Sequence, residues 1–581
     1  MDRQFIANVA NTSRLVASNL YDDPSYFALQ VARKFKTAPG MTALRSTLGA
    51  KQSPALLKAL GAMISDDNDR LRDVSQAWVE NERHGFGTVL LANMCTASGQ
   101  WDLTNQLLLL ADQSRRKVRA EARLAWSLGK MSQAIKILSD LAPSRQRRHY
   151  ESEFAVYSGA EPTIKQSAAS RYSVENPQSA LFLATNSLPH TGSGYAQRTH
   201  SVLSAVHELG WDVFAATRVQ YPLNIGKLKA PVKDLVGTIT YERLLPRSAR
   251  HEMLGKVQQQ ADELLEKVLR ERPAVLHTTT DFSNALAVQA VAKAVGIPWV
   301  YEVRGQLADT WLSTRPATSA TSEKYRLFMQ RESAVAQVAD HVLTLGQEMK
   351  NNLVKAGVEA NKITIVPNAV GEKFLEPPVD RNTARQELAL DQEAFYVGTV
   401  SSLVPYEGLS VVVEAVALLA SEFTNLRLLI VGDGTDRENL VKLAQKLGIS
   451  DRCECPGRVP RDQANLYHSA LNVFVVPRID SSVTRSVTPL KPVEAMASNV
   501  PVLASDLPAL HELVKDGENG HLVTAGDVQA WATAIRERIL DPGGTERMGK
   551  SGREFVLDNR TWARNAKTIV EVYDRVISQV Q

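Results

Sequence analysis

The chain has 581 residues, a length that predicts roughly two to four domains. Hydrophobic residues make up 44% and charged residues 22%, as in a folded globular protein, and the net charge of +4 argues against a nucleic-acid partner. Three cysteines, Cys95, Cys453 and Cys455, exclude a disulfide framework and indicate a reducing compartment. No stretch approaches the ~18 apolar residues of a membrane span, so we expect a cytoplasmic protein with at most peripheral contact with the inner face of the membrane.

Residues 1–172 are predicted to form an all-α, helical-hairpin domain, because apolar residues recur there at spacings of three and four. Gly99 and Gly129 each open a similar amphipathic stretch, at an interval of 30 residues, as in stacked helical repeats. Two basic clusters, at 115–119 and 145–148, are either solvated faces or a surface for a protein partner, for self-association or for an anionic membrane. We expect this domain to be dispensable for binding of the small-molecule ligand.

From residue 173 onward, short buried strands alternate with helices, which predicts α/β domains with parallel sheets. The chain turns through Glu376-Pro-Pro-Val-Asp380, and this linker predicts two facing, doubly wound, Rossmann-like domains at 173–378 and 379–559. A cleft between the strand ends of two such sheets is a place where ligands bind. The strands are predicted at 179–185, 211–217, 274–278, 299–303, 341–344, 363–366, 395–400, 426–431, 473–476, 500–504 and 520–523.

The first candidate ligand loop is Thr191-Gly-Ser-Gly-Tyr-Ala-Gln197, directly after the first strand. Gly192 and Gly194 let the backbone approach a ligand, and the following helix offers unpaired N–H groups to an anion. A dinucleotide site would need a third glycine at Gln197 and an acid at Arg218, so an oxidoreductase is disfavoured. A tight turn without any ligand remains the alternative.

The second candidate is Val487–Ala497, where Pro492 suits the first turn of a helix. Lys491 can meet a phosphate as a point charge, and Glu494, favoured by the helix dipole, can accept the hydroxyls of a ribose. The alternative is a capped helix with an exposed salt bridge between these two side chains.

These motifs, in this order, resemble the family-four retaining glycosyltransferases of the GT-B fold over some 400 residues. The helix from Trp562 is similar to the one that returns to the first domain in that fold, so residues 560–581 are expected to complete it. The other matching landmarks are Val366-Pro-Asn-Ala-Val370, Val397–Leu403, Tyr406-Glu-Gly408, Leu429–Gly434, Pro456-Gly-Arg-Val459, Val475-Val-Pro-Arg478 and Ser505-Asp506.

The resemblance assigns roles to individual positions. It implies that the loop of Gly457, Arg458 and Val459 meets the base of a nucleotide sugar, that Glu494 holds the ribose and that Gly194 closes over the diphosphate. Thr488 and Leu490 belong to the same donor-binding stretch.

The sequence also departs from the family. The first family glutamate falls on Ser486, and the usual Arg and Lys pair falls on Ser402 and Glu407. Lys491, Arg478 and Arg485 lie close enough in sequence to replace the lost cations. Arg304 stands where the family often has a histidine, and Arg304 and Lys491 are our candidate catalytic residues. The alternative for Arg304 is a surface ion pair with Glu302.

We therefore expect transfer of a sugar, with retention, from a nucleotide diphosphate sugar to a saccharide-like or lipid-linked acceptor in polysaccharide or glycoconjugate synthesis. A UDP-sugar is the expected donor substrate, with no further cofactor. Neither sheet ends in Asp-x-Asp, so no metal is expected. The competing hypothesis is a weakened GT-B-like scaffold that binds partners through its helical domain.

Overall fold

The computed structural model of the protein describes residues 3–35, 38–48, 50, 53–165, 172–460 and 463–580. The predicted domain boundary at residue 172 adjoins residues 166–171, which lie outside this set. Within the described residues, no helix combines the length and apolarity needed to cross a membrane.

The N-terminal region is helical, as the spacing of apolar residues predicts. Helix ends carry the expected local signals: the Asp67 carboxylate accepts a hydrogen bond from the backbone N–H of Arg70, 3.1 Å away. Gly99 and Gly129 have φ of 78° and 82°, the left-handed geometry that lets one helix end and the next begin. The helices are α1 (Arg3–Asp22), α2 (Pro24–Lys34), α3 (Pro39–Leu48), α4 (Ala55–Ile64), α5 (Asn68–Glu80), α6 (Phe86–Ala97), α7 (Trp101–Leu110), α8 (Arg115–Ser127), α9 (Met131–Ser139) and α10 (Arg145–Tyr157).

The next domain is a sheet of order β3-β4-β2-β1-β5-β6-β7-β8 with helices on both faces. Its strands pair in parallel except β3, which is antiparallel to β4, so the predicted parallel sheet carries an unpredicted edge hairpin. Its strands are β1 (Ser179–Ala184), β2 (Asp212–Thr217), β3 (Lys233–Val236), β4 (Ile239–Arg243), β5 (Val275–Thr279), β6 (Trp299–Val303), β7 (His341–Thr344) and β8 (Ile363–Ile365), and its helices are α11 (Gly194–Glu208), α12 (Met253–Glu271), α13 (Phe282–Val295), α14 (Leu307–Leu312), α15 (Glu323–Val338) and α16 (Gln347–Lys355).

The second sheet is parallel throughout and has the order β11-β10-β9-β12-β13-β14. Two facing doubly wound domains, preceded by an all-α region, confirm the predicted fold class. The elements are α17 (Glu372–Leu375), α18 (Arg381–Glu387), β9 (Phe395–Val400), α19 (Ser410–Leu419), β10 (Leu426–Val431), α20 (Arg437–Lys446), β11 (Cys453–Gly457), α21 (Ala464–Ala470), β12 (Val473–Val476), α22 (Ser482–Ser486), α23 (Lys491–Ala497), β13 (Val502–Ser505), α24 (Pro508–His511), β14 (Gly520–Val523), α25 (Val528–Leu540), α26 (Pro542–Asn559) and α27 (Trp562–Val580).

Helix α27 returns to the first sheet, as the resemblance implies. Its apolar face shares a core with α11 and with strands β1, β5 and β6. The hydroxyl of Tyr573 lies 2.6 Å from Nδ1 of the buried His277 on β5. The two domains are therefore joined twice, once by the linker after β8 and once by the segment before α27.

The N-terminal helices share a hydrophobic core with the first sheet domain. Tyr157 packs edge-on against Phe282 and Phe328, with ring centroids 5.4 and 5.3 Å apart. Nζ of Lys324 lies 2.7 Å from the carboxylate of Glu153 on α10. A chain beginning near residue 172 would leave this apolar surface uncovered, and that such a chain still binds the small-molecule ligand stays a prediction.

We predict that Tyr157→Ala lowers the free energy of unfolding of the whole chain by about 3–5 kcal/mol, because it opens a cavity in the shared core. Chemical denaturation followed by fluorescence measures this. Tyr26→Ala is the matched control, since Tyr26 is 50% exposed and its loss should matter little. Equal stability of the two variants would contradict the shared core.

Candidate active site in the cleft between the two sheets

A cavity of about 750 Å³ lies between the two sheet domains. Helix α11 forms one wall, the start of α23 forms the other, and the linker residues 369–375 and Trp562 line the space between them. Clefts between two doubly wound domains are usual ligand sites, so this position fits one, but the loop of Gly192 and Gly194 is not among the lining residues.

The start of α23 brings two of the predicted residues, Lys491 and Glu494, into the cavity wall. Pro492 fixes the first helical turn, and Nζ of Lys491 lies 2.7 Å from Oε2 of Glu494. The predicted salt bridge therefore exists in the free protein. It is not an exposed pair, because the Glu494 side chain is only 9% exposed against 38% for Lys491.

The charge on Glu494 is stabilised by its neighbours. Burial alone would raise the pKa of this carboxyl, but Lys491 and His468 hold the pKa at about 2. His468 is fully buried with Nε2 3.4 Å from the same carboxylate oxygen, and burial lowers its own pKa. Glu494 is thus an ionised acceptor at neutral pH, held beside a neutral imidazole.

Gly192 and Gly194 lie in the loop that leads into α11. The hydroxyl of Ser193 accepts a hydrogen bond from the N–H of Ala196, 3.3 Å away, and so caps the helix. A Cβ at Gly194 would meet nothing within 4 Å, and one at Gly192 would only reach Gln197 at 3.9 Å. Neither packing nor backbone strain requires these glycines, so the loop is open to the approach of another molecule.

Arg304 lies at the end of β6 in a buried ion cluster rather than in a surface pair. Its Nε donates to Oε2 of Glu302 at 2.9 Å, and Arg198 of α11 binds the other carboxylate oxygen at 2.7 Å. Burial would raise the pKa of Glu302, but the two guanidinium groups hold it far below its ordinary value. Arg304 also donates to the carbonyl of Tyr195 and to the hydroxyl of Thr199, so its donors are occupied within the protein.

The cations proposed to replace the family pair already have partners. Arg478 is buried and binds both carboxylate oxygens of Glu407, at 3.1 and 2.8 Å. Arg485 lies on the surface, with Nη2 2.6 Å from Oδ2 of Asp480. Of the three replacements, Lys491 is the one that lines the cavity.

Apart from Leu490, the other predicted residues are not among those that line the cavity. Leu490 lines it, and Thr488 is buried, with its carbonyl 2.9 Å from Nδ2 of Asn368 in the first domain. Gly457 has φ of 83°, and Arg458 and Ser402 are exposed while Val459 is half-buried. The loop after Val459 continues into residues 461–462, which lie outside the described residues.

Sequence reasoning missed three residues that shape the site: Arg198, His468 and Trp562. Arg198 and Trp562 line the cavity, and the Arg198 guanidinium lies over the Trp562 ring at 5.4 Å. Arg198 also donates to the carbonyl of Val366, at 2.6 Å. A buried arginine on the apolar side of a helix was a usable signal in the sequence, whereas the contacts of His468 depend on tertiary packing.

Two family models match the chain. The Glycosyl transferase 4-like domain matches residues 193–369, and Glycosyl transferases group 1 matches residues 380–555. These ranges coincide with the two sheet domains that border the cavity. The chain belongs to the family-four glycosyltransferases of the GT-B fold.

Curated relatives share part of the chain. The GDP-mannose-dependent alpha-(1-6)-phosphatidylinositol monomannoside mannosyltransferase of Mycolicibacterium smegmatis is 28% identical over 237 residues, or 40% of this chain and 62% of the relative. The D-inositol 3-phosphate glycosyltransferase of Nocardia farcinica is 31% identical over 255 residues, or 42% of this chain and 55% of the relative. The matches thus span between half and two thirds of each relative.

Solved structures share the fold. Sucrose-phosphate synthase from Thermosynechococcus elongatus superposes with a TM-score of 0.58 at 21% identity, covering 69% of this chain and all of that one. HepE from Anabaena in complex with UDP gives a TM-score of 0.54 at 18% identity, covering 68% of this chain and 99% of that one. At these identities the likeness shows the fold alone.

We predict that Arg304→Ala lowers the free energy of unfolding by about 3 kcal/mol or more, because it removes one partner of a buried charge. The pKa of Glu302 is lower in the folded chain than its ordinary value of 4.5. The ionised carboxylate therefore contributes its full stabilisation above pH 4.5, and this stabilisation is lost as the pH falls through the pKa of the folded state. Without Arg304 the pKa of Glu302 in the folded chain rises, so acid unfolding should begin at a higher pH.

Denaturant and acid titrations followed by circular dichroism measure both effects. Arg485→Ala is the control, since it removes an arginine from an exposed pair with Asp480 and should leave both titrations close to those of the parent. If Arg304→Ala matches that control, the cluster around Glu302 does not stabilise the fold.

Proposed function

We propose that the protein is a retaining glycosyltransferase that moves a sugar from a nucleotide diphosphate sugar, with a UDP-sugar as the expected donor, to a saccharide-like or lipid-linked acceptor. The observation that carries this proposal is the cavity between the two sheet domains, where Lys491 and the buried, ionised Glu494 line the same space as residues 197–208 of α11. A cation and an anion held side by side match a ligand that joins a diphosphate to a ribose.

The ion pair of Lys491 and Glu494 is compatible with a site that binds such a ligand. Lys491 is partly exposed, so its ammonium can turn from Glu494 to a diphosphate while Glu494 accepts the ribose hydroxyls. The N-terminus of α11 lies three residues before Gln197, the first α11 residue in the cavity lining, and a diphosphate that reached it would gain partial positive charge from its N–H groups. The open positions at Gly192 and Gly194 leave room for the phosphates.

Transfer with retention, without a metal ion, follows as part of the proposal. The protein would bind the acceptor so that its hydroxyl lies on the face of the sugar that bears the leaving group. Lys491 and the N-terminus of α11 would stabilise the departing diphosphate. Arg304 would act as a positioning residue, because its donors hold Glu302 and the first turns of α11 rather than point at a substrate.

The acceptor and the cellular setting are also proposals. The name of the relative from Mycolicibacterium smegmatis includes a phosphatidylinositol monomannoside, and the name of the relative from Nocardia farcinica includes D-inositol 3-phosphate. By analogy we propose an acceptor for glycoconjugate or polysaccharide synthesis, reached from the cytoplasmic face of a membrane. The N-terminal helices would supply contacts to a protein partner, a second copy or the membrane surface.

A GT-B-like scaffold without activity is the second candidate, and one observation favours it. Arg478 and Arg485 are each bound to a carboxylate, so the positive charge they would lend to a diphosphate is neutralised. Release of nucleoside diphosphate from a UDP-sugar, with or without acceptor, separates the enzyme from the scaffold.

We predict that Lys491→Ala lowers the affinity for UDP by about tenfold or more and leaves the affinity for uridine nearly unchanged, because only UDP carries the diphosphate charge. Glu494→Gln should lower the affinities for UDP and for uridine by similar factors, because both ligands carry the ribose. Calorimetric titrations at alkaline pH, where Glu494 stays ionised even without Lys491, measure the four affinities.

The matched control is Lys515→Ala, which removes the lysine of another pair spaced by three residues, Lys515 and Glu518, on the exposed surface. It should bind both ligands like the parent. If Lys491→Ala and Glu494→Gln also bind like the parent, α23 is only a capped helix and the scaffold gains support.

We further predict that excess EDTA leaves most of the transferase or donor-hydrolysis rate, since Lys491 and the helix N-terminus would supply the positive charge that a metal ion provides elsewhere. Initial rates with EDTA, compared with rates after Mg²⁺ is restored, measure this. An absolute need for a divalent ion would overturn the proposed stabilisation of the leaving group.

A further inference from the structure

Four basic side chains lie where the N-terminal helices cover the carboxyl edge of the first sheet. Arg218 directly follows β2, His251 precedes α12, Lys256 lies in the first turn of α12, and Arg145 begins α10. We call these four residues the basic cluster. None of them belongs to the cavity that holds Lys491 and Glu494.

Hydrogen bonds on either side fix the place of the cluster. Next to Arg218, the N–H of Val219 donates to Oε1 of Gln260 at 3.2 Å, which holds the end of β2 against α12. The N–H of Leu254 donates to the hydroxyl of Ser152 at 2.9 Å, which sets α10 across the start of α12. The three elements therefore meet at one junction, where Lys256 interacts electrostatically with Arg218, and His251 with Lys256 and Arg145.

None of these side chains forms a salt bridge within the described part of the chain. Nε of Arg218 and both ring nitrogens of His251 are buried there without a hydrogen-bond partner. Asp22 and Glu153 face Lys256 from the N-terminal helices, but neither forms an ion pair with it. Glu153 is bound to Lys324 at 2.7 Å, and Asp22 lies 3.9 Å from His149.

The cluster also repels itself. Burial lowers the pKa of Lys256 and the charge of Arg218 lowers it further, and these effects outweigh the opposite influence of Glu153 and Asp22. Burial likewise lowers the pKa of His251, and the charges of Lys256, Arg145 and Arg14 add to the effect against that of Glu252. Buried donors and unbalanced positive charge together are what a bound anion would relieve.

We propose that the basic cluster binds the phosphate group of an anionic molecule, a phosphomonoester or phosphodiester, between the N-terminal helices and the first sheet. Arg218 and Arg145 offer forked donors that suit phosphate oxygens, and Lys256 offers a point charge. The N-terminus of α12, a helix of 19 residues, adds its partial positive charge beside Lys256.

A polar chain connects this site to the cleft. Nε2 of Gln260 donates to Asn284 at 3.0 Å, Asn284 donates to the hydroxyl of Thr185 at 2.7 Å, and that hydroxyl donates to the carbonyl of Thr280 at 2.9 Å. These residues run along the carboxyl edge of the sheet toward Arg304, whose N–H donates to Thr280. A phosphorylated acceptor bound by the cluster would lie along this edge. That last step rests on the proposed function, but phosphate binding itself does not.

The test titrates inorganic phosphate into the full chain with UDP at saturation, so that a diphosphate site in the cleft is already filled. We expect phosphate to bind the parent and to lose about tenfold or more in affinity in Arg218→Gln and in Lys256→Gln. Lys446→Gln, which neutralises an exposed lysine on α20, is the control and should bind like the parent. Circular dichroism melts of each variant show that it is folded.

Vesicles of phosphatidylcholine, with and without phosphatidylinositol, separate the two sources of phosphate. If the parent protein pellets with the phosphatidylinositol vesicles and Arg218→Gln does not, the site is supported and its ligand is a lipid headgroup. Phosphate binding without pelleting supports the site and assigns a phosphorylated molecule free in solution.

Two results would overturn the cluster as an anion site: no phosphate binding by the parent under UDP, or binding that the folded Arg218→Gln and Lys256→Gln variants keep. UDP titrations of the same variants report on the proposed function separately. If those variants bind UDP normally but not phosphate, both proposals stand. If the parent binds phosphate but not UDP, only the donor assignment fails.

Discussion

The buried carboxylate of Glu302 is the constraint on which the first domain's side of the cleft depends. It binds Arg198 on α11 and Arg304 at the end of β6. Arg198 also donates to the carbonyl of Val366, directly after β8. Because burial lowers the pKa of the adjacent His277 to about 3, that imidazole is neutral, and two guanidinium groups surround one carboxylate. The cluster of Arg198, Arg304 and Glu302 thus carries one net positive charge behind the start of α11.

Eleven of the fourteen strands in the described part of the chain were predictable because most of them are short buried runs between turn residues, and this pattern depends on local sequence alone. The hairpin of β3 and β4 was missed because its alternating exposure spreads over only four and five residues. The packing of Tyr157 against Phe282 could not be read from periodicity either, since a helix face that covers another domain looks like one that covers its own repeat.

The site divides in the same way. Lys491 and Glu494 were found because three-residue spacing on one helical turn places them together whatever surrounds them. Arg478 was assigned to the ligand, yet it binds Glu407, a partner 71 residues away in the chain that no local rule identifies. The unbalanced charges around Arg218 and Lys256 arise only when helices of the N-terminal region meet the first sheet.

The two connections between the sheet domains run side by side. The N–H of Val370 donates to the carbonyl of Arg560 at 2.8 Å, and the N–H of Trp562 donates back to Val370 at 3.1 Å. Paired segments of this kind act as a single hinge, so displacement during opening grows with distance from it. The cavity is lined by Val370 and Trp562 and lies at the hinge itself, whereas the contact of Asn352 with Ser486 lies across the cleft. Opening would therefore part the outer lip widely while the space beside Glu494 keeps nearly the same shape.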